Sequence, residues 1–122
     1  MTIRTGTVAR RRALFEEAVE IIEREFADPI ELDDVARRLA TSRRQLQRAF
    51  SEIGGASFRT YVARVRMRRA LEMLREGSLP VRDVAGSVGY RQPAQFAKTF
   101  RRHHGAPPSS FRAPADEDDG PA

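Results

Sequence analysis

Residues 34–56 read DVARRLATSRRQLQRAFSEIGGA, and residues 83–106 read DVAGSVGYRQPAQFAKTFRRHHGA. The second stretch repeats the pattern of the first. Asp34-Val35-Ala36 returns as Asp83-Val84-Ala85 at an offset of 49. One residue is then added in the second turn, and at an offset of 50 Leu46 answers to Phe96, Phe50 to Phe100, Gly55-Ala56 to Gly105-Ala106 and Tyr61 to Phe111. Small residues stand where two helices pass closely at a turn: Ala36 and Ala40 in one copy, Ala85 and Gly89 in the other. Leu46, Phe50 and Ile53, and then Phe96 and Phe100, anchor the second helix of each copy. That is the pattern of a helix-turn-helix unit, present twice.

Periodicity extends this frame to both sides. Leu14, Phe15, Ala18, Val19, Ile22 and Phe26 recur at intervals of three and four and predict a helix over about residues 8–27, ended by Asp28-Pro29. A short helix follows over about 32–39. Ser42 caps the next, about 42–52, with Gln45 three residues on as in a capping box. After Gly54-Gly55, Ser57 caps a long helix that stops at Gly77. Helices over about 81–88 and 92–103 follow, with Pro93 tolerable in a first turn, and Pro107-Pro108 introduce a last turn ending near Phe111. No strand pattern occurs. The expected fold is therefore all-α, with about seven helices in two helix-turn-helix subdomains joined by a long central helix. The first unit spans 13–55, the connecting helix 57–76 and the second unit 80–112. Residues 113–122, with four acids, two Pro and a Gly, are expected to be a disordered acidic tail.

Composition narrows the function. In 122 residues there is room for one domain, without Cys and without Trp. No disulfide scaffold, thiol nucleophile or Cys-based zinc site is possible, and nothing pairs a nucleophile with a base or cradles a phosphate, so no enzyme, catalytic residue, cofactor or metal is expected. No apolar run approaches the ~20 residues that cross a bilayer. The net charge of +5 is concentrated. Residues 1–36 carry five basic against nine acidic groups, residues 37–69 ten against one, residues 70–89 two against three, residues 90–113 five against none, and residues 114–122 four acids alone. Two basic blocks imply two surfaces for a polyanion.

With Leu46, Ala49, Phe50 and Ile53 facing inward at 100° per residue, the opposite side of the third helix presents Arg44, Gln47, Arg48 and Ser51. Arg can grip guanine O6 and N7 with two hydrogen bonds, and Gln can pair similarly with adenine. This face is read as free of the Glu that a solvated helix uses for i,i+4 pairing. The same construction on the sixth helix exposes Ala94, Ala97, Lys98 and Arg101. Ala can only touch a thymine methyl, and Lys98 and Arg101 serve phosphates as readily as bases, so sequence choice is expected to lie mainly in the first unit.

The stretch from Leu32 to Leu74, continued from Val81 to Arg112, resembles the DNA-binding domain of the AraC/XylS family of bacterial transcription regulators. The likeness is strongest over Ala85, Gly89-Tyr90, Phe96, Phe100-Arg101, Gly105, Pro108 and Phe111-Arg112. Two helix-turn-helix units entering adjacent major grooves of double-stranded promoter DNA are what the resemblance implies. By position, Arg44, Gln47 and Arg48 then read bases in the first groove, and Ala94, Gln95, Ala97 and Lys98 in the second. Ser42, Arg43, Ser51, Arg59, Arg101 and Arg102 fall where backbone contacts are made. Arg91, Pro93 and Ala94 depart from the residues the family commonly has there, which weakens base reading by the second unit. RNA polymerase as a partner, binding as a monomer and a cytoplasmic, nucleoid-associated location are further implications. The chain resembles either the family's single-domain members or a domain cut from a longer regulator. The alternative is a module that uses the same bundle to bind a protein, RNA polymerase or a separate sensory chain, with secondary DNA contact.

Other features have plainer readings. His103-His104 is expected to be a helix-end pair favoured by the macrodipole, and Glu16, Glu20 and Glu23 a solvated charged face. Arg10-Arg11-Arg12 is either a flexible arm to DNA or the solvated start of the first helix. Arg66 and Arg69 either touch phosphate or pair with acids within the fold.

Overall fold

Val35, Ala36, Leu46, Ala49 and Phe50 are buried, and so are Val84, Ala85, Phe96, Thr99 and Phe100, so both copies of the repeat place corresponding positions inside. A computed structural model describes residues 2–112, with side chains from residue 6 onward. Six α-helices run along it: α1 (Thr2–Glu25), α2 (Leu32–Arg38), α3 (Arg43–Ala49), α4 (Phe58–Glu76), α5 (Val81–Ser87) and α6 (Pro93–His104). A π-helical turn, Phe50–Gly54, continues α3, and a 3-10 turn, Pro108–Phe111, follows α6. No strand occurs among the described residues, and the fold is all-helical as expected, with six α-helices and two short turns in place of about seven helices. The expected acidic tail, 113–122, lies outside the described residues.

Helix ends differ from the sequence reading in two places. α1 starts at Thr2, not Val8, because adding residues to an existing helix gains one hydrogen bond each without a new nucleation cost. The third helix is α-helical only to Ala49. Beyond it the backbone widens into the π turn, which brings Gly54 against Phe15: a Cβ at Gly54 would stand 2.5 Å from Phe15 Cε1.

The chain divides into two compact units, one running to Ala63 and one starting at Arg64. In the first, α1 buries Leu14, Ala18, Ile21 and Ile22, the i, i+4, i+7, i+8 stripe of an amphipathic helix, and packs on α3 and the π turn. Phe50 is the centre of this unit. Its ring meets Phe15, Phe58 and Tyr61 edge to face, with centroids 5.2, 5.5 and 5.7 Å away. In the second unit Phe100 has the same role, with Phe111 edge-on at 5.5 Å and Phe96 at 5.7 Å. The match of Tyr61 to Phe111 thus has a physical basis: each closes on the Phe of its own copy.

The helix-to-helix turn is built the same way in both copies. Thr41 N–H donates to Ala36 O and Ala40 N–H to Arg37 O; Tyr90 N–H donates to Ala85 O and Gly89 N–H to Gly86 O. This crossed pair is a Schellman motif, which needs a left-handed residue at its centre. Gly89 supplies it at φ 99° without strain, whereas Ala40 adopts φ 56° against its Cβ. Gly89→Ala is therefore expected to cost about 1–2 kcal/mol, seen in urea denaturation as a lower midpoint at unchanged slope. Ala40→Gly should not lower stability. If Gly89→Ala leaves the midpoint in place, the left-handed constraint is not what holds this turn.

Candidate nucleic-acid interface

Ser42 sets the start of α3. Its Oγ accepts from Gln45 N–H at 3.0 Å, satisfying one of the donors a helix leaves open at its first turn. With the start fixed and Leu46, Ala49 and Phe50 buried, Arg44, Gln47, Arg48 and Ser51 are all exposed on the far side. Arg43, Gln47, Arg48 and Ser51 share one cleft of about 820 Å³ with Arg59, from the first turn of α4, and with Asp33. Ser57 caps that turn of α4, its Oγ accepting from Thr60 N–H at 3.1 Å.

These side chains are not equally available. Among the described residues the side chains of Arg44 and Gln47 have no hydrogen bond or ion pair. Arg43 donates to Asp33 Oδ1 at 2.9 Å, tying α3 to α2. Ser51 Oγ donates to Arg48 O at 3.3 Å, which turns its hydroxyl back on the helix. Arg48 Nε donates to Glu52 Oε2 at 3.2 Å, an i,i+4 pair, so the face read as free of Glu carries one after all. Arg11 NH1 donates to the other oxygen of Glu52 at 2.7 Å. The hydrogen bond from Arg48, with the nearby charges of Arg11 and Arg48, holds the Glu52 carboxyl below the usual carboxylate range.

Arg11 is accordingly neither a free arm nor a solvated helix start. Its side chain is only 17% exposed and reaches from α1 to the π turn. Sequence reasoning missed Glu52, although it is the lone acid of the 37–69 block and four residues past Arg48. Elsewhere in this unit Arg38 grips both oxygens of Glu25 at 2.8 and 2.7 Å, joining the ends of α1 and α2, and Arg37 pairs with Asp34.

In the second unit α6 begins at Pro93, and the side chain of Gln92 before it makes no cap bond. Ala94, Gln95, Lys98, Arg101 and Arg102 are exposed, and Ala97 is half-buried. Lys98, Arg101 and Arg102 have no side-chain partner among the described residues. Arg66 lies over the Tyr90 ring, its guanidinium carbon 5.7 Å from the centroid, and Arg69 Nε stands 3.9 Å from Glu72, so both are engaged within the fold.

The two His of the last turn of α6 have different surroundings. His104 packs on Phe100 with centroids 4.4 Å apart, and its Nε2 lies 3.1 Å from Met67 O, so it belongs to the rim of the core. Burial, then the charges of His104, Arg102 and Arg64, push the His103 pKa down. His103 itself is exposed at the end of α6. Among the described residues no group of three His, Cys, Asp or Glu could hold a metal ion, and no helix is long and apolar enough to cross a membrane.

A family model described as a helix-turn-helix domain matches residues 35–114. The chain is 33% identical over 97 residues to the transcriptional regulator GbdR of Pseudomonas aeruginosa, covering 80% of this chain and 26% of that protein. Its fold is similar to the crystal structure of an AraC-type transcriptional regulator from Chromobacterium violaceum, with a TM-score of 0.80, 27% identity, and 93% of this chain and 99% of that one covered. It is also similar to the DNA-binding domain of AdpA, a global transcriptional factor, crystallised in complex with a target DNA. There the TM-score is 0.76 at 27% identity, over 87% of this chain and 97% of that one. The chain spans about a third of the length of several other curated relatives it matches.

Proposed function

The chain belongs to the AraC-type helix-turn-helix family, and on that premise we propose that it is a sequence-specific regulator of transcription that binds promoter DNA through two recognition helices. The observation that carries the reading is the exposed face of α3, where Arg44 and Gln47 have no side-chain partner among the described residues, on a helix whose start is capped and whose other face is buried. A guanidinium and a primary amide on one outward face match the two bidentate base contacts available in a major groove, to guanine and to adenine.

α3 reads most of the sequence, with Arg44, Gln47 and Arg48 at base edges. α6 enters an adjacent groove with Ala94, Gln95, Ala97 and Lys98, and contributes affinity and register more than base choice. Ser42, Arg43, Ser51 and Arg59 in one unit, and Arg101 and Arg102 in the other, meet phosphate oxygens. Arg43 and Ser51 exchange their present partners, Asp33 and Arg48 O, for phosphate as they do so. Two reading heads in one chain let a monomer occupy a site that dimeric helix-turn-helix proteins share between two subunits. Work on the cytoplasmic nucleoid, with RNA polymerase as the partner in activation, completes the reading.

The test is fluorescence anisotropy of the protein on a site selected from random DNA and on a scrambled duplex, each titrated with salt. A preference of about 10³-fold or more for the selected site is expected. Equal affinities with equal salt slopes would reduce the basic blocks to an electrostatic footprint and move the search to a protein partner.

A further inference from the structure

Residues 37–69 hold ten basic groups and one acid, Glu52. On a surface whose only task was to attract phosphate, that carboxylate would oppose binding, and its position shows what else it does. One oxygen takes the Nε of Arg48 at 3.2 Å and the other takes a terminal nitrogen of Arg11 at 2.7 Å. The three side chains grow steadily more exposed from Arg11 at 17%, through Glu52 at 41%, to Arg48 at 52%. The carboxylate is thus moored on its inner side by the least exposed member and holds the outermost one.

An unheld Arg at this position samples many rotamers and can grip DNA by its Nε edge or by its terminal fork, on a base or on a phosphate. With Nε taken by Glu52, the fork formed by the two terminal nitrogens is left over, and it has the spacing of guanine O6 and N7. The negative charge beside it also disfavours a phosphate at the same place, which penalises sequence-independent docking.

Resting on the reading of α3 as a base-reading helix, we infer that Glu52 is a positioning residue for specificity: it holds Arg48 by its Nε edge against Arg11, so that the guanidinium meets DNA with its fork and at a base.

The experiment compares selected and scrambled duplexes by anisotropy for the wild type, Glu52→Gln, Glu20→Gln, Arg48→Ala and the Arg48→Ala, Glu52→Gln double variant. Glu20→Gln removes the same charge from an exposed position on α1 and controls for charge alone. The expected result is that Glu52→Gln lowers the preference for the selected site about tenfold, on the scale of one base contact, while affinity for scrambled DNA rises. Glu20→Gln should change both affinities by the same factor. In the Arg48→Ala background Glu52→Gln should leave the preference where it is, because the residue acts through Arg48. Should Glu52→Gln fail to fold, Glu52→Asp, which keeps the charge but withdraws it by one methylene, is read for the same loss of preference. An unchanged preference, or an equal drop with Arg48 absent, overturns the inference and leaves Glu52 as a strut of the fold. A wild type that shows no preference overturns the regulator reading itself, and this inference with it.

Discussion

Alanine at both Arg44 and Gln47 is expected to remove most of the preference for a selected site while sparing most of the affinity for scrambled DNA. Each bidentate base contact discriminates by about 1–3 kcal/mol, so losing two reduces the preference by about 30-fold to 10⁴-fold. The loss falls on discrimination because only one positive charge is deleted, and the salt slope should fall by no more than about 0.9. These two residues are the ones to change because their side chains have no partner among the described residues. Nothing inside the fold is left unpaired by their removal, and stability should be unchanged. Alanine at Arg101 and Arg102 is the contrasting variant. It should weaken selected and scrambled sites alike and lower the salt slope by about 1.8, the signature of phosphate contacts. A double variant at Arg44 and Gln47 that keeps its full preference would show that α3 does not read bases.

Much of this candidate interface was legible because burial writes itself into spacing. Leu46 and Phe50 in one copy and Phe96 and Phe100 in the other must be inside whatever else the chain does, and all four are fully buried. Once that face is fixed, the opposite face of α3 follows from 100° per residue, and Arg44, Gln47 and Arg48 are on it. The turn was legible only in part. Ala40 and Gly89 could be recognised as small, but the demand at that position is for a left-handed backbone, which the glycine meets and the alanine bears. Surface ion pairs leave no such periodic trace, since a long charged side chain has several partners within reach and the choice among them is made by the tertiary fold. Arg11 and Glu52 lie 41 residues apart, and only the packing of α1 on α3 and the π turn brings them together. Arg48 and Glu52 were a different matter. Their i,i+4 spacing was visible, but α3 was read as turning one polar face to solvent, and Glu52 lies at the edge of that face, where the helix widens into the π turn.

Phe50→Ala is the substitution expected to cost the fold most, about 3–5 kcal/mol. The side chain is fully buried, its ring is met edge-on by Phe15, Phe58 and Tyr61, and it stands where α3 passes into the π turn. Deleting it opens a cavity bounded by three rings drawn from α1 and α4, and Phe15 is further constrained by Gly54, so collapse cannot refill the space cheaply. Against a total stability of 5–15 kcal/mol usual for a domain, such a loss lowers the thermal midpoint by more than about 12 °C. Phe50→Leu keeps most of the volume and should cost less than about 1.5 kcal/mol beyond the lost ring contacts. The pair separates two roles of the aromatic cluster. If it serves only to hold α3 in register, Phe50→Leu keeps the site preference at temperatures where it is folded, and Phe50→Ala loses preference in step with its unfolding. A Phe50→Ala protein that melts near the wild type would mean that the cluster is not the keystone of this unit, and that the outward face of α3 is held instead by its polar ties to α1 and α2, Arg11 to Glu52 and Arg43 to Asp33.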